Sequence, residues 1–390
     1  MSDVELLFLV LALIYAWECA GWVPLGSEAF RNWFGSRWRH AEPVIRNQKG
    51  GFVFAPFLPP LGTLLNCHPW PLGFSPAGIL ALRPGTRNST QPAVLRFEEI
   101  KKVHVEGKKV IVNNRVFTRA ASTTQALQAA EHIRALLKLS PAAREPVLHK
   151  LLHERFRIKT IRQRWREFSV RAANLHLLTN VLFVYLFVFA PLMIWRFGLG
   201  FTWPSLLAGM YALTFTIAFM FRAVHKHYYP AAKDERFTHL LINMFSPATT
   251  IRARDALSRP LLENFHPLAI ARVFCTEDQF RRITRAAVLS LRYPAKSTNP
   301  AGGDREGGVD RYFKKIEEAA IEDFLKKSGL RIDDLLQPPL PSDETCLAYC
   351  PRCLSQFTFA EGECADCGGL KLVPFAPAAK RTQAAVDRRA

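Results

Sequence analysis

Three apolar segments of membrane length interrupt a chain whose remaining pattern alternates between apolar and polar positions. They cover residues 4–23, 175–195 and 201–221, and the last two contain no Asp, Glu, Lys or Arg. A helix that crosses a bilayer needs about 20 predominantly apolar residues. The pattern therefore predicts three transmembrane helices, of which the second and third form a hairpin across the short link 196–200.

The first apolar segment has a second interpretation, a cleaved signal peptide. Cys19 and Gly21 are small enough for a processing site, but Asp3 and Glu5 stand where a signal peptide carries basic residues. Because the basic residues of a signal peptide are missing, we favour an uncleaved membrane anchor. Glu18 is the one acidic residue that interrupts its apolar run after Glu5.

Basic residues before the second span predict the orientation of the chain. The juxtamembrane segment 140–174 is expected to be helical, and its part from residue 155 to residue 171 holds seven basic residues and one acidic residue, Glu167. The seven are Arg155, Arg157, Lys159, Arg162, Arg164, Arg166 and Arg171. By the positive-inside rule this segment is cytoplasmic, which predicts an N-out, C-in, multi-pass protein of a bacterial inner membrane. The same side chains are the predicted contacts to anionic lipid headgroups.

The overall charge supports an anionic partner. The chain has 52 Lys and Arg against 33 Asp and Glu, a net charge of +19. Such an excess suits an anionic lipid bilayer or a nucleic acid, and the charge alone does not choose between them.

A small α+β domain is predicted between the first two spans, within residues 24–139. Short strands are expected at residues 94–97, 102–106, 109–112 and 115–118. Asn113 and Asn114 suit a turn with positive φ, and a capping box from Ser122 to Gln125 starts a helix that ends near Leu139. The element order is a strand meander closed by an amphipathic helix.

This order resembles the second half of bacterial membrane-associated pleckstrin-homology-like (PH-like) domains, over about residues 73–138. The resemblance is carried by Phe97, Ile100, Val103, Gly107, Val110, Val112 and Phe117. It implies that the domain binds a peptide or a lipid headgroup.

Helical patterns return after the third span. Residues 222–295 are predicted as a helical cytoplasmic unit, residues 296–310 as a linker rich in Gly, Ser, Asn and Pro, and residues 311–336 as an amphipathic helix. The basic tail 376–390 is predicted to be disordered.

Four cysteines near the C-terminus form two Cys-x-x-Cys pairs. Cys350 and Cys353 enclose Pro-Arg, and Cys364 and Cys367 enclose Ala-Asp. Two such knuckles can close a tetrahedral zinc site, with iron as the main alternative for four thiolates. Residues 346–375 resemble a short zinc ribbon, in which Zn²⁺ is structural and has no open position for catalysis. Cys346 is then a spare thiol, and the need for reduced thiols agrees with a cytoplasmic location.

Catalytic signals are weaker. His225, His227 and His239, with Asp234 and Glu235 nearby, are a candidate metal or proton site at the membrane face. The chain has no Gly-x-Ser-x-Gly elbow, phosphate loop or Gly-x-Gly-x-x-Gly motif.

The sequence thus favours an α+β multi-domain membrane protein that acts as a scaffold or adaptor for cytoplasmic protein partners over an enzyme. One alternative is a membrane-embedded metal-dependent enzyme with its site near the three histidines. A second alternative is membrane-tethered nucleic-acid binding, for which the ribbon offers only Arg352 and Lys371.

Overall fold

The computed structural model is a mixed α/β protein that is mostly helical. It describes residues 6, 72–84, 90–120, 122–198, 200, 202–245, 247–251, 253–262, 264–293 and 304–375. The predicted first span 4–23, apart from Leu6, lies outside the described residues, as do residues 24–71 and the tail 376–390. The chain divides into two compact units: residues up to Phe280 with Asp304–Lys314, and Arg281–Gly303 with residues from Lys315 onward.

The first unit begins with two antiparallel sheets of three strands each. The strands are β1 (Leu72–Phe74), β2 (Gly78–Pro84), β3 (Thr90–Arg96), β4 (Val103–Glu106), β5 (Lys109–Val112) and β6 (Arg115–Arg119). Their orders are β1-β2-β3 and β4-β5-β6, so each sheet is a meander of neighbouring strands. Helix α1 (Thr123–Leu137) follows and packs against β4 and β5.

Local sequence signals explain this part of the fold. Asn113 and Asn114 have φ angles of 51° and 64°, as the predicted turn requires. The Ser122 hydroxyl accepts a hydrogen bond of 3.0 Å from the Gln125 amide and caps α1. Strands β1 and β2 were not predicted, because their described side chains are mostly buried and their sequences show no alternation of apolar and polar residues.

Helices make up the rest of the first unit. They are α2 (Pro141–Arg155), α3 (Ile158–Arg171), α4 (Ala173–Val184), a π-helical segment (Tyr185–Phe189), α5 (Ala190–Phe197), α6 (Thr202–Tyr228), α7 (Lys233–Phe245), α8 (Pro247–Ile251), α9 (Ala253–Leu262), α10 (Pro267–Phe274) and the start of α11 (Glu277–Arg292). Helix α6 packs against α4, α7, α8 and α9.

Among the described residues, one helix, α6, is long and apolar enough to cross a membrane, where the sequence predicts three spans. The second predicted span, residues 175–195, is divided between α4, the π-helical segment and α5. Pro191 explains the division, because it lacks the N–H that would bond to the carbonyl four residues earlier and its ring crowds that carbonyl. The π-helical segment ends two residues before this proline, as expected where the regular hydrogen-bond pattern of an α-helix is interrupted.

The predicted linker 296–310 is wrong over its last residues. Helix α12 runs from Asp304 to Lys327 and includes Gly307 and Gly308. Val309 is buried on this helix, as is Ile316 further along, so the apolar stripe extends into the glycine-containing stretch. Burial of that stripe outweighs the low helix propensity of glycine.

The second unit contains the remainder of α11 and α12, followed by α13 (Ile332–Leu336) and the ribbon. The Arg285 side chain joins α11 to the end of α13, since its Nε and one terminal nitrogen donate to the Leu335 and Gln337 carbonyl oxygens. The ribbon strands are β7 (Ala348–Tyr349), β8 (Gln356–Phe357), β9 (Glu363–Cys364), β10 (Leu370–Lys371) and β11 (Val373–Pro374). They form one sheet in the order β11-β7-β8 and a β9-β10 hairpin.

Candidate metal centre

The structure brings together the four cysteines that the sequence predicts as ligands. The Sγ atoms of Cys350, Cys353, Cys364 and Cys367 all lie within 4.8 Å of one another. The Cys353 and Cys364 sulfurs are 3.8 Å apart. Four thiolates bound tetrahedrally to one zinc ion at about 2.3 Å would be separated by about 3.8 Å. The cluster therefore fits a single Zn²⁺ ion.

Backbone turns hold each cysteine pair in place. In the first knuckle the Leu354 amide donates to the Cys350 carbonyl at 2.9 Å, and in the second the Gly369 amide donates to the Cys364 carbonyl at 3.0 Å. The residue after each second cysteine is left-handed, with φ of 61° at Leu354 and 71° at Gly368. Glycine adopts this conformation freely, whereas Leu354 does so at a cost. The sequence did not reveal that Leu354 matches Gly368 in backbone conformation.

The sulfurs are part of the ribbon's hydrophobic core. Cys350, Cys364 and Cys367 are buried together with Ala348 and Leu372, and the half-buried Phe357 and Leu370 pack against them. Cys353 is the exposed member of the cluster. Because four protein sulfurs fill a tetrahedral coordination sphere, the site has no position for a substrate. A metal ion held by these four sulfurs would have a structural role.

Burial and neighbouring thiols affect the charge of the ligands. Burial, followed by the proximity of Cys353, raises the pKa of the Cys367 thiol. A bound cation favours the thiolate and displaces the proton, so metal binding and deprotonation are linked at this sulfur.

Cys346 is outside this cluster. Its side chain is buried, and its Sγ lies 3.2 Å from the Ser342 hydroxyl in the turn that leads into the ribbon. The fifth thiol of the segment thus has a local hydrogen-bonding role and is not needed to complete the ligand set.

The candidate histidine site is only partly assembled. The rings of His225 and His239 are 6.3 Å apart, and both lie beside Phe221. His227 is exposed, two residues along α6 from His225 and therefore on another face of the helix. The four cysteines are the one group of three or more possible metal ligands that comes together among the described residues.

The two acidic residues of this candidate site also do not complete it. Asp234 is exposed, whereas the Glu235 carboxylate accepts hydrogen bonds of 2.9 and 3.0 Å from the Thr123 amide and hydroxyl. Glu235 lies 3.5 Å from the Lys108 ammonium group. Glu235 therefore caps α1 and attaches α7 to the β4-β5-β6 sheet.

The predicted lipid-contact residues lie at the end of α2 and along α3. Six of the seven are exposed, and only Arg155 is buried. The six exposed residues are Arg157, Lys159, Arg162, Arg164, Arg166 and Arg171. The aromatic residues between them do not share this surface, since Phe168 is fully buried and Trp165 packs edge-on against Phe274 at 5.1 Å. These two rings pack within the protein, because α3 turns its apolar side toward α10.

Comparison with known proteins does not add a family to these observations. No family model matches the chain, and no curated protein and no solved structure matches it. In particular, no PH-like domain is recognised in residues 73–138 by this comparison.

Proposed function

We propose that the chain is a membrane-anchored scaffold or adaptor. A helical hairpin formed by α4, the π-helical segment, α5 and α6 holds it in a cytoplasmic membrane, and the metal-bound ribbon binds a cytoplasmic protein. Residues 4–23 provide a further span in this proposal, with the N-terminus outside and the bulk of the chain in the cytoplasm.

The exposed apolar surface of the hairpin carries the proposal. In the most apolar window of α6, 28% of the residues are buried, whereas a core helix of a soluble protein is mostly buried. Large exposed apolar side chains occur along all the hairpin segments. They are Leu177, Val181, Val188, Phe189, Leu192, Trp195, Phe197, Trp203, Leu207 and Phe219. A contiguous apolar surface of this kind is rarely left in water.

The two ends of the hairpin differ in a way that suits a bilayer. Trp195, Phe197 and Trp203 are exposed at the tip, as in the aromatic belts of membrane interfaces. Exposed Arg222 and Lys226 lie at the other end of α6, next to the basic face of α3 in the sequence-based topology. This polarity supports insertion with the tip on the far side and the basic end in the cytoplasm.

The ribbon surface favours a protein partner over a nucleic acid. Leu347, Phe359 and Val373 are exposed apolar side chains on this small module. Its basic side chains include only Arg352, which is half-buried, and the exposed Lys371 between residues 346 and 375. A nucleic-acid interface requires a denser basic surface, whereas exposed apolar side chains are typical of protein contacts.

A finer part of the proposal concerns the two sheets and α1. Six strands followed by a helix agree with a PH-like element order, and we infer that this module contributes a peptide or headgroup contact. The neighbouring exposed arginines of α3 give the same region an affinity for anionic lipid, at about 1 kcal/mol for each basic residue near the surface.

Crosslinking in intact membranes tests the scaffold function. We would compare the wild-type chain with a deletion of residues 340–390 and with a Leu347→Ser, Phe359→Ser double variant that keeps all four ligands. Both variants should remain in the membrane fraction and lose the cytoplasmic proteins that crosslink to the wild type. If the deletion retained every such partner, the recruiting role of the ribbon would be excluded.

A further inference from the structure

Helix α7 carries an apolar surface that the scaffold function does not use. Phe237, Leu241, Ile242 and Phe245 are all exposed, and three of them follow one another at intervals of four residues along one face of α7. Residues 237–251 contain no Asp, Glu, Lys or Arg. The charged residues of α7 are confined to its first turn, which Glu235 fixes to α1.

The position of α7 along α6 determines the depth of this surface. The two helices are joined by the short turn 229–232 and run antiparallel, and His239 lies beside Phe221 and His225. In this register Phe245 is level with about residue 216 of α6. At 1.5 Å per residue that is about 8 Å beyond Phe221, toward the tip of the hairpin. Phe237 lies on the opposite side of Phe221, nearer to the cytoplasmic end.

After α8 the chain returns toward the cytoplasmic end of the hairpin. The Tyr229 hydroxyl donates to the Leu257 carbonyl of α9 at 2.6 Å, and Arg254 lies over the rings of Trp165 and Phe168. Through Arg254 and Leu257, helix α9 therefore lies at the level of the juxtamembrane helix α3. From α7 to α9 the chain therefore runs along α6 toward the tip of the hairpin and then comes back toward its cytoplasmic end.

A contact between α7 and α8 satisfies a backbone group that water would otherwise have to solvate. The buried Thr250 hydroxyl of α8 donates to the Asn243 carbonyl of α7 at 2.6 Å. Within a hydrocarbon layer, non-helical backbone is tolerated only where such groups are bonded and buried in protein. Helix α8 packs against α4 and α6, which meets the second requirement.

We propose that residues 237–251 form a re-entrant element that enters the cytoplasmic leaflet beside the hairpin, with the exposed face of α7 against lipid acyl chains. This inference rests on the proposed insertion of the hairpin. Lipid is the favoured occupant because, in the same register, the exposed Phe219 of α6 lies at about the depth of the exposed Ile242 of α7. If Phe221, the last residue of the predicted span 201–221, marks the membrane boundary, α7 extends about 8 Å into a hydrocarbon core of about 30 Å and does not cross the membrane.

Photocrosslinking to lipid tests the depth directly. The full chain carrying p-benzoylphenylalanine at Phe245, Phe219 or Val116 would be placed in phosphatidylethanolamine–phosphatidylglycerol vesicles, irradiated and analysed by mass spectrometry. Phe219 is exposed on α6, and Val116 is exposed on strand β6 outside the helical bundle. Adducts are expected at Phe245 and Phe219, at least tenfold above those at Val116. A fourth position, Phe237, should form adducts nearer to the glycerol group than Phe245 does.

The positions separate the inference from the proposed function. Adducts at Phe219 with none at Phe245 would overturn the re-entrant element and leave the hairpin in place. A covalent dimer formed through Phe245 would also overturn it, because the face would then contact a second copy of the chain. If Phe219 formed no lipid adduct, the membrane insertion itself would fail.

Discussion

At the residue scale, Asn113 secures the second sheet through its side chain and its backbone together. Its Oδ1 accepts hydrogen bonds from the Lys101 and Lys102 amides at 2.8 and 3.2 Å, and its Nδ2 donates to the Glu99 carbonyl at 2.6 Å. Asn114 has the same positive φ. Comparing the same substitution at Asn113 and at Asn114 therefore separates the effect of a left-handed backbone from the effect of the side-chain hydrogen bonds.

We expect Asn113→Ala to destabilise the β4-β5-β6 sheet by about 1–3 kcal/mol more than Asn114→Ala, because each lost hydrogen bond contributes about 1 kcal/mol. Hydrogen exchange of the sheet amides in the full chain measures the difference as loss of protection. Asn113→Gly, which relieves the φ strain without restoring the bonds, should remain destabilised. Equal loss of protection in the two alanine variants would show that the side-chain bonds contribute nothing.

His266 makes the stability of the first unit depend on pH. It is fully buried, its Nδ1 accepts a hydrogen bond from the Leu268 amide at 3.2 Å, and its ring stacks on Phe156. Burial, with the positive charge of Arg155 as a smaller cause, lowers the pKa of His266 well below the ordinary value of 6.5. The folded protein thus keeps this imidazole neutral under conditions in which the unfolded chain takes up a proton.

The stabilisation that the folded state gains from neutral His266 is complete above pH 6.5, and it is lost as the pH falls from 6.5 toward the folded-state pKa. Between pH 6.5 and 5.5 the loss should be about 1 kcal/mol. His266→Asn keeps an acceptor for the helix cap and should flatten the pH dependence of the thermal midpoint of the detergent-solubilised chain. A variant of the exposed His227, His227→Asn, should keep the wild-type slope. An unchanged slope in His266→Asn would contradict the assignment.

At the element scale, the hairpin depends on a close approach between the π-helical segment and α6. The Tyr185 hydroxyl donates to the Leu206 carbonyl at 2.8 Å. A Cβ atom at Gly209 would lie 2.5 Å from that hydroxyl oxygen and 3.1 Å from Cζ of the ring. Gly209 therefore leaves the space in which the tyrosine reaches the neighbouring helix, as small residues do in many transmembrane helix pairs.

Gly209→Ala should lower the stability of the hairpin by about 1–2 kcal/mol, since the tyrosine must move and lose its hydrogen bond. Tyr185→Phe removes the clashing oxygen, so the double variant should be more stable than the sum of the two single changes predicts. The coupling should be about 1 kcal/mol, measured as unfolding of the chain in mixed micelles. Strict additivity of the two changes would show that the contact does not form.

The elements differ in how far the sequence could predict them. The Asn113 turn, the Ser122 cap and the four cysteines are set by short-range chemistry, and each was predicted at the correct residues. Tertiary packing decided the rest. Phe168 has the same local pattern whether it faces lipid or α10, and Val309 extends α12 only because its side chain is buried. Nothing in the local sequence distinguishes these cases.

At the scale of the whole molecule, the first unit and the ribbon are stabilised in different ways. The first has an extensive core of buried apolar side chains in its sheets and helices. The ribbon has strands of two residues each and a small core that includes three of its own ligands. A module of this size buries little apolar surface and usually needs a metal or a disulfide to fold, so we expect a metal bound by the four cysteines to supply most of its stability.

Metal removal should therefore unfold the ribbon and leave the first unit intact. After chelation, amides of residues 346–375 should exchange at close to unprotected rates, while those of α6 and β4–β6 keep their protection. Cys353→Ser should show the same fast exchange without a chelator, whereas Cys346→Ser should behave as the wild type, because Cys346 lies outside the ligand cluster. Hydrogen-exchange mass spectrometry, combined with metal analysis of the same samples, measures both effects. Unchanged protection of residues 346–375 in a sample shown to be metal-free would mean that the ribbon's packing alone stabilises it.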